Sequence, residues 1–307
     1  MNVRLYSTPD EFASAARWVY RRDPVLFTVE LTTARSRVLS ADRVMLSVAD
    51  DAGVFAAAVQ GDDGCLLVSG LPARSIGEVV AKLSARGIEL PAVRGTRAAA
   101  TAFVDAWCTA VGAGAEVSDE ETLYRLGTLE PPSGVPGKVR LSADDDGELV
   151  VDWLDAFFAD AFDIPSDREA RRGYLREIAH ARGRILVWTV DDVPVSMARL
   201  HAPSAGMTRV GPVYTPLEHR GRGYAAAVTS AAAEDAIGRG VRDVVLFADV
   251  NNAVSNGVYR RIGFEPVTRH VRFGLTLQAS QRLSATSGYV RDATAVMGAR
   301  GTVSCVP

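Results

Sequence analysis

Pro216-Leu217-Glu218-His219-Arg220-Gly221-Arg222-Gly223-Tyr224-Ala225-Ala226 decides how this chain is read. An apolar run from about Met207 to Thr215 precedes it and predicts a strand. A helix is expected from about Gly223 to Ile237, stopping at Gly238 or Gly240. Glycines at 221 and 223 remove side chains, so main-chain N–H groups can approach an anion closely. The helix that starts there adds its unpaired N–H groups and positive dipole end. Arg220 and Arg222 add positive charge, and the whole suits a pyrophosphate. Gly221-x-Gly223-x-x-Ala226 also satisfies the spacing of a dinucleotide loop. That version needs the strand to run directly into the first glycine, and here the polar stretch from Thr215 to Arg220 intervenes. No Gly-Lys-Ser/Thr is present, which excludes a nucleotide-triphosphate loop. A Gly-x-Gly alone is equally compatible with a helix start that binds nothing.

Downstream, Asp243 to Asp249 reads as a buried strand, Ala253 to Ile262 as a short helix, and a last strand begins at Glu265. In that short helix Asn252, Ser255, Asn256 and Tyr259 fall at i, i+3, i+4 and i+7, which makes one polar stripe. Val254, Val258 and Ile262 form the neighbouring apolar stripe. The expectation is that the polar stripe faces a ligand while the apolar stripe holds the helix on the sheet. The alternative is a polar stripe facing solvent.

Upstream, helices are expected over Gly147 to Ala161 and Asp167 to Ala181, and strands over Ile185 to Val190 and Val195 to His201. The first half reads as two helices between Asp10 and Val38, then strands near Val44 to Val48, Val54 to Val59 and Cys65 to Val68. A helix Ser75 to Ala85, a strand near Ala92, a helix Arg97 to Val111 and a strand near Leu123 to Leu126 complete it. The order ααβββαβαβ thus occurs twice, as expected of a duplicated α/β fold. Pro131-Pro132-Ser133-Gly134-Val135-Pro136-Gly137 cannot continue a helix or a central strand. It reads as a linker over 131–137, between a domain at 1–130 and a second at 138–277. The tail at 278–307 lacks a clear period and receives no role.

The 307 residues suit two domains. With 48% apolar and 23% charged residues, the composition is that of a globular protein with a sizeable core. A net charge of -3 argues against a dedicated nucleic-acid binder. Cys65, Cys108 and Cys305 form no CxxC pair, and only four His are present, so neither a zinc site nor a disulfide framework is expected. No signal peptide and no membrane span is read, so the expected location is the cytoplasm.

The loop and the downstream helix together resemble the GNAT superfamily of N-acetyltransferases. Its acyl-CoA motif stands here as Arg220-x-x-Gly223-x-Ala225. Its second signature stands as Leu246-Phe247-Ala248-Asp249-Val250-Asn251-Asn252, then Tyr259, then Gly263-Phe264. The first half resembles a degenerate copy with no comparable glycine-rich loop, as in two-domain, actinobacterial-type members. The fold implied is a pair of GNAT-like domains, each a mostly antiparallel sheet flanked by helices, with a splayed strand pair in the second. The resemblance implies that Val213, Tyr214 and Thr215 pair with the pantetheine arm of acetyl-CoA or a related acyl-CoA. The backbone of Gly221, Arg222, Gly223, Tyr224, Ala225 and Ala226 then holds the pyrophosphate beside Arg220, and Asn252, with Asn256 next to it on the polar stripe, meets the pantetheine. Tyr259 falls where the family's general acid sits. The acceptor implied is a small-molecule or peptide amine, with neither metal nor nucleic acid.

The chemistry suits these residues. Attack of a neutral amine on a thioester creates an oxyanion, best met by fixed N–H donors. Gly211-Pro212 marks a bulge or a parting of strands, because proline has no N–H to give. A parting from Val244 to Ala248 lets an extended arm complete the pairing, and Val213 or Tyr214 N–H can reach the oxyanion. A tyrosine stays protonated at neutral pH and can give its proton to the departing thiolate. Many relatives place a Glu where Phe247 stands, so the base is open: Asp249, Glu218, His201, His219 or water. A non-catalytic acyl-CoA sensor therefore stays beside the enzyme reading. Asp144-Asp145-Asp146 and Asp152 read as a solvated helix start or as an attractant for a cationic amine.

Overall fold

The computed structural model describes residues 1–36, 39–162 and 164–277; the tail expected at 278–307 lies outside them. The element order is β1(Asn2–Leu5), α1(Pro9–Arg21), α2(Thr28–Thr33), β2(Met45–Asp50), β3(Gly53–Gln60), β4(Cys65–Leu67), α3(Ala73–Ser84), β5(Ala92–Thr96), α4(Arg97–Val111) and β6(Ala113–Leu126). The same order follows again: β7(Lys138–Leu141), α5(Gly147–Phe162), α6(Arg168–His180), β8(Arg184–Val190), β9(Val193–Leu200), β10(Met207–Tyr214), α7(Tyr224–Gly238), β11(Asp243–Asp249), α8(Ala253–Arg261) and β12(Phe264–Leu277). Each copy has one more leading strand than the sequence pattern gives. β1 and β7 are four residues long, too short for a clear alternation.

The chain divides into two compact units. Among the described residues unit 1 holds Met1–Glu120 and 269–277, and unit 2 holds Glu121–Thr268. The division falls inside β6 and β12, not at 131–137. Both strands are 14 residues long, and each leaves one end in each unit. The Pro/Gly stretch lies inside unit 2 and is fastened there. Trp188 Nε1–H donates to Pro136 C=O at 2.9 Å, and a Cβ on Gly137 would meet the Thr189 carbonyl oxygen at 2.3 Å.

In unit 1 the strand order is β1-β2-β3-β4-β5-β12-β6, and in unit 2 it is β12-β6-β11-β10-β9-β8-β7. The core of unit 1 gathers Leu46, Val48, Leu66, Val79, Val93, Phe103 and Trp107. Among the described residues of unit 2, two core clusters stand out. One lies under α7 and α8 and includes Tyr124, Leu186, Ala198, Val213, Val228, Leu246 and Tyr259. The other lies under α5 and α6 and includes Val150, Phe157, Ile178, Val187, Met197 and Tyr214. The alanines of α7 (Ala225, Ala232, Ala233 and Ala236) are buried, and residues this small bring the helix close to the sheet that carries the site.

Candidate active site

The parallel pair β10–β11 is the feature around which the site is built. It holds only over Met207–Arg209 against Asp243–Val245. β11 goes on to Asp249 paired with β6, and β10 goes on to Tyr214 paired with β9. The β9 register shifts between Val210 and Val213, which is the bulge expected at Gly211-Pro212. Beyond Arg209 the two parallel strands part, and the sheet is splayed.

β10 leads through a short turn, Leu217–His219, to Gly221 and Gly223, both left-handed at φ 77° and 83°. Side chains rarely adopt that conformation. A Cβ at Gly221 would meet nothing within 4 Å, and one at Gly223 would meet Val135 Cγ2 at 3.0 Å. The first backbone bond of the turn runs from Ala227 N–H to Gly223 C=O at 3.0 Å. The N–H groups ahead of it therefore have no intrahelical partner. Gly221, Arg222 and Gly223 are exposed. The site thus offers open backbone donors at a helix start, which fits a diphosphate.

The arginines of the loop divide in role. Arg222 is exposed, whereas Arg220 braces the loop. Its Nε–H donates to Thr215 C=O at 2.9 Å and its guanidinium pairs with Asp160 at 2.7 Å. Thr215 is buried, with its hydroxyl 2.9 Å from that of Ser196; Ser196 also donates to Tyr214 C=O at 3.0 Å.

On α8 the stripes fall otherwise than the periodicity suggests. Ser255, Asn256 and Tyr259 are buried, while Val254 is 63% exposed. The polar stripe therefore faces protein. Burying Asn256 costs little because its side chain is satisfied on three sides. Its Nδ2 donates to Asp249 C=O and to Asn252 C=O, both at 2.7 Å, and its Oδ1 accepts from Tyr124 O–H at 2.7 Å. That ties α8 to β11 and β6, so the structure gives Asn256 a bracing task in place of a free cofactor contact. Asn252 caps the helix, its Oδ1 accepting from Ser255 N–H at 2.9 Å. The Tyr259 ring lies against Tyr124 and Phe264, at centroid distances of 6.5 and 6.2 Å.

The candidate bases differ in setting. His201 is buried, and its Nε2 donates to Gly211 C=O at 3.2 Å. Burial first, then the charges of Arg199 and Arg209, hold its pKa well below the usual imidazole range. Asp249 Oδ1 accepts from Asn251 N–H at 2.7 Å. Glu218 is exposed on the turn before the glycines. Phe247 is buried on β11.

Acids on α5 and in the turn just ahead of it are matched by arginines. Asp146 pairs with Arg140 at 2.5 Å, Asp152 with Arg168, and Glu148 with Arg168 and Arg172 at 2.7 and 2.9 Å. The Arg140 hydrogen bond, foremost, holds the Asp146 carboxyl below its usual range. The sequence pattern does not pick out Tyr124, Tyr174 or Arg199, whose parts come from tertiary contacts. Among the described residues no helix is long and apolar enough to cross a membrane, and no group of three or more His, Cys, Asp or Glu could hold a metal.

The family model for the acetyltransferase (GNAT) family matches residues 147–264. No curated protein matches the sequence. Among solved structures, the chain is similar to a GNAT-family acetyltransferase from Colwellia psychrerythraea at 11% identity. The match covers 91% of this chain and 100% of that one, with a TM-score of 0.59. It is similar to a GCN5-related N-acetyltransferase from Sphaerobacter thermophilus at 19% identity, covering 89% and 94%, with a TM-score of 0.58. A tandem GNAT protein from the clavulanic acid biosynthesis pathway matches at 15% identity, covering 90% and 98%, with a TM-score of 0.55. At these identities the structural likenesses speak for the fold, and the family model speaks for the domain. The chain carries, at residues 147–264, an acetyltransferase domain of the GNAT family.

Proposed function

We propose that unit 2 transfers the acetyl group of acetyl-CoA to a primary amine by direct attack. The observation that carries this reading is the parting of β10 from β11 beside two left-handed glycines at the start of α7. The backbone N–H groups of Gly221 to Ala226 hold the diphosphate, and the edge of β10 at Val213, Tyr214 and Thr215 takes the pantetheine arm. Asn252 lies beside that arm.

The amine nitrogen bonds to the carbonyl carbon as the C–S bond breaks. The nitrogen gives its extra proton to water, and the thiolate takes a proton from the Tyr259 hydroxyl, which is restored from solvent. Water is the acceptor because burial holds the His201 imidazole well below its usual pKa and Phe247 offers no carboxylate. Unit 1 takes no part in the chemistry. The test is coenzyme A release from acetyl-CoA across a panel of primary amines, with calorimetric titration of acetyl-CoA alongside. Tight acetyl-CoA binding with no release from any amine supports the second reading, an acyl-CoA sensor, which the absent carboxylate at Phe247 favours.

A further inference from the structure

Arg199 stands abreast of the place where the strands part. β9 pairs Leu200 with Val210 and Ala198 with Val213, so Arg199 lies opposite the bulge at Gly211-Pro212. Its guanidinium sits on the Tyr174 ring, 4.7 Å from the centroid, and donates to the Tyr174 hydroxyl. That ring is itself held edge-on by Phe158 at 5.8 Å. Phe158 carries a second guanidinium, Arg171, at 4.1 Å. Arg171 has a carboxylate, Asp155, at 3.4 Å. Arg199 pairs with none among the described residues, and its Nε is shut off from solvent without a hydrogen-bond partner. His201, two residues on, is bonded to Gly211 at the same bulge. The nearby acids are already occupied: Glu148, Asp152 and Asp155 of α5 by arginines of α6, Asp160 by Arg220, and Asp146, just ahead of α5, by Arg140.

From this geometry we infer that Arg199, oriented by Tyr174, is the specificity residue of the acceptor site and selects amines that carry an oxyanion, a carboxylate before a phosphate. This rests on unit 2 being an acyltransferase. A guanidinium fixed on an aromatic face presents a planar fork whose geometry matches a carboxylate. Tyr174 is a positioning residue, because it acts through Arg199.

The experiment measures kcat/KM for coenzyme A release with acetyl-CoA and matched acceptors: glycine and β-alanine against glycinamide and ethylamine, with 2-aminoethyl phosphate as the phosphate arm. The carboxylated amines are expected to lead. Arg199→Gln should reduce the ratio of carboxylated to neutral acceptors by about 10- to 100-fold, acting on KM, the range of one charge-assisted hydrogen bond. Arg199→Lys should restore part of it. Tyr174→Phe should move the same ratio in the same direction by less, and it serves where Arg199→Gln does not fold. A lead for the phosphate amine over the carboxylates overturns the carboxylate preference. Efficient turnover of neutral amines, with a ratio that neither variant moves, overturns the inference and leaves acyl transfer standing. No release from any amine, in protein that binds acetyl-CoA, overturns both.

Discussion

Two copies of one element order treat the same place in the fold in opposite ways. In unit 2 the parallel pair β10–β11 opens after Arg209, and left-handed glycines introduce α7. In unit 1 the corresponding pair β4–β5 stays closed. Cys65–Leu67 pair with Ala92–Arg94, then Val68 N–H donates to Arg94 C=O at 2.9 Å, and Thr96 N–H to Ser69 Oγ at 3.3 Å. Helix α3 begins after Pro72 with no glycine turn, and Gly70 is packed so tightly that a Cβ would meet the Ala57 carbonyl oxygen at 2.5 Å. A cavity of about 510 Å³ remains beside this helix start, but its Arg74 stacks on Phe55 at 4.3 Å. Element order alone does not make a cleft. A bulge with a proline, which withdraws an N–H from the ladder, and a turn that exposes N–H groups make one.

The largest expected effect tests that contrast directly. Titration calorimetry should find one acetyl-CoA per chain. Gly223→Val forces a side chain into a left-handed turn already 3.0 Å from Val135. Several charge-assisted hydrogen bonds of about 1.5–3 kcal/mol each are at stake, so affinity should fall at least about 100-fold. Arg74→Ala, at the matching helix start of unit 1, should change affinity less than about twofold. Two sites per chain, or a loss of affinity in Arg74→Ala, would break the comparison.

Next in size is the hydroxyl of Tyr259. Removing a general acid costs about 100-fold in rate, so Tyr259→Phe should lower kcat by about that factor while the Kd for acetyl-CoA holds. Phenylalanine keeps the ring packing against Tyr124 and Phe264. An unaltered kcat takes Tyr259 out of the mechanism.

Much of this was legible beforehand. Strand β11, Asp243–Asp249, lies where the apolar run puts it, and α7 starts within one residue of its expected position. The bulge follows from Gly211-Pro212 because proline's missing N–H is a local property. The inward turn of the polar stripe on α8 was not legible. Periodicity says which residues share a face, but the partner of that face is set elsewhere, by Tyr124 on β6, 132 residues away in sequence. The passage of β6 and β12 from one unit to the other is hidden for the same reason: nothing local in a 14-residue strand says which strand it will pair with. Arg199 is one arginine among many until Tyr174 lies under it.

The α8 brace offers a stability test of intermediate size. Asn256→Ala strips Tyr124 O–H of its acceptor and leaves the carbonyls of Asp249 and Asn252 without their Nδ2 donor. Leaving buried groups unmade costs about 1–3 kcal/mol, so urea unfolding should show a loss of about 2 kcal/mol. Tyr124→Phe should cost about 1 kcal/mol, since it removes one of these bonds. If Asn256→Ala is as stable as the parent, the side chain is not a brace and is free to meet a ligand.

The smallest effect compares the units through their buried histidines. His201 in unit 2 and His270 in unit 1 are both held neutral, His270 with its pKa pushed down to about 3, in each case by burial first. An unfolded histidine binds its proton below about pH 6.5, and these native ones do not. The unfolded state therefore binds more protons below that pH, and stability must fall as pH falls. The contribution is whole above about pH 6.5 and declines by about 1.4 kcal/mol per histidine between roughly pH 7.5 and 5.5. Glu30, whose pKa burial raises, acts with the opposite sign. It favours the native state below its ordinary range and ceases to do so as pH rises through its native value. Subtracting each variant's stability curve from the parent's cancels it. His201→Gln and His270→Gln should each flatten the fall by a similar amount. If His201→Gln alone flattens it, the proton-linked strain belongs to the open unit, and the closed unit does not exclude protons as its packing requires.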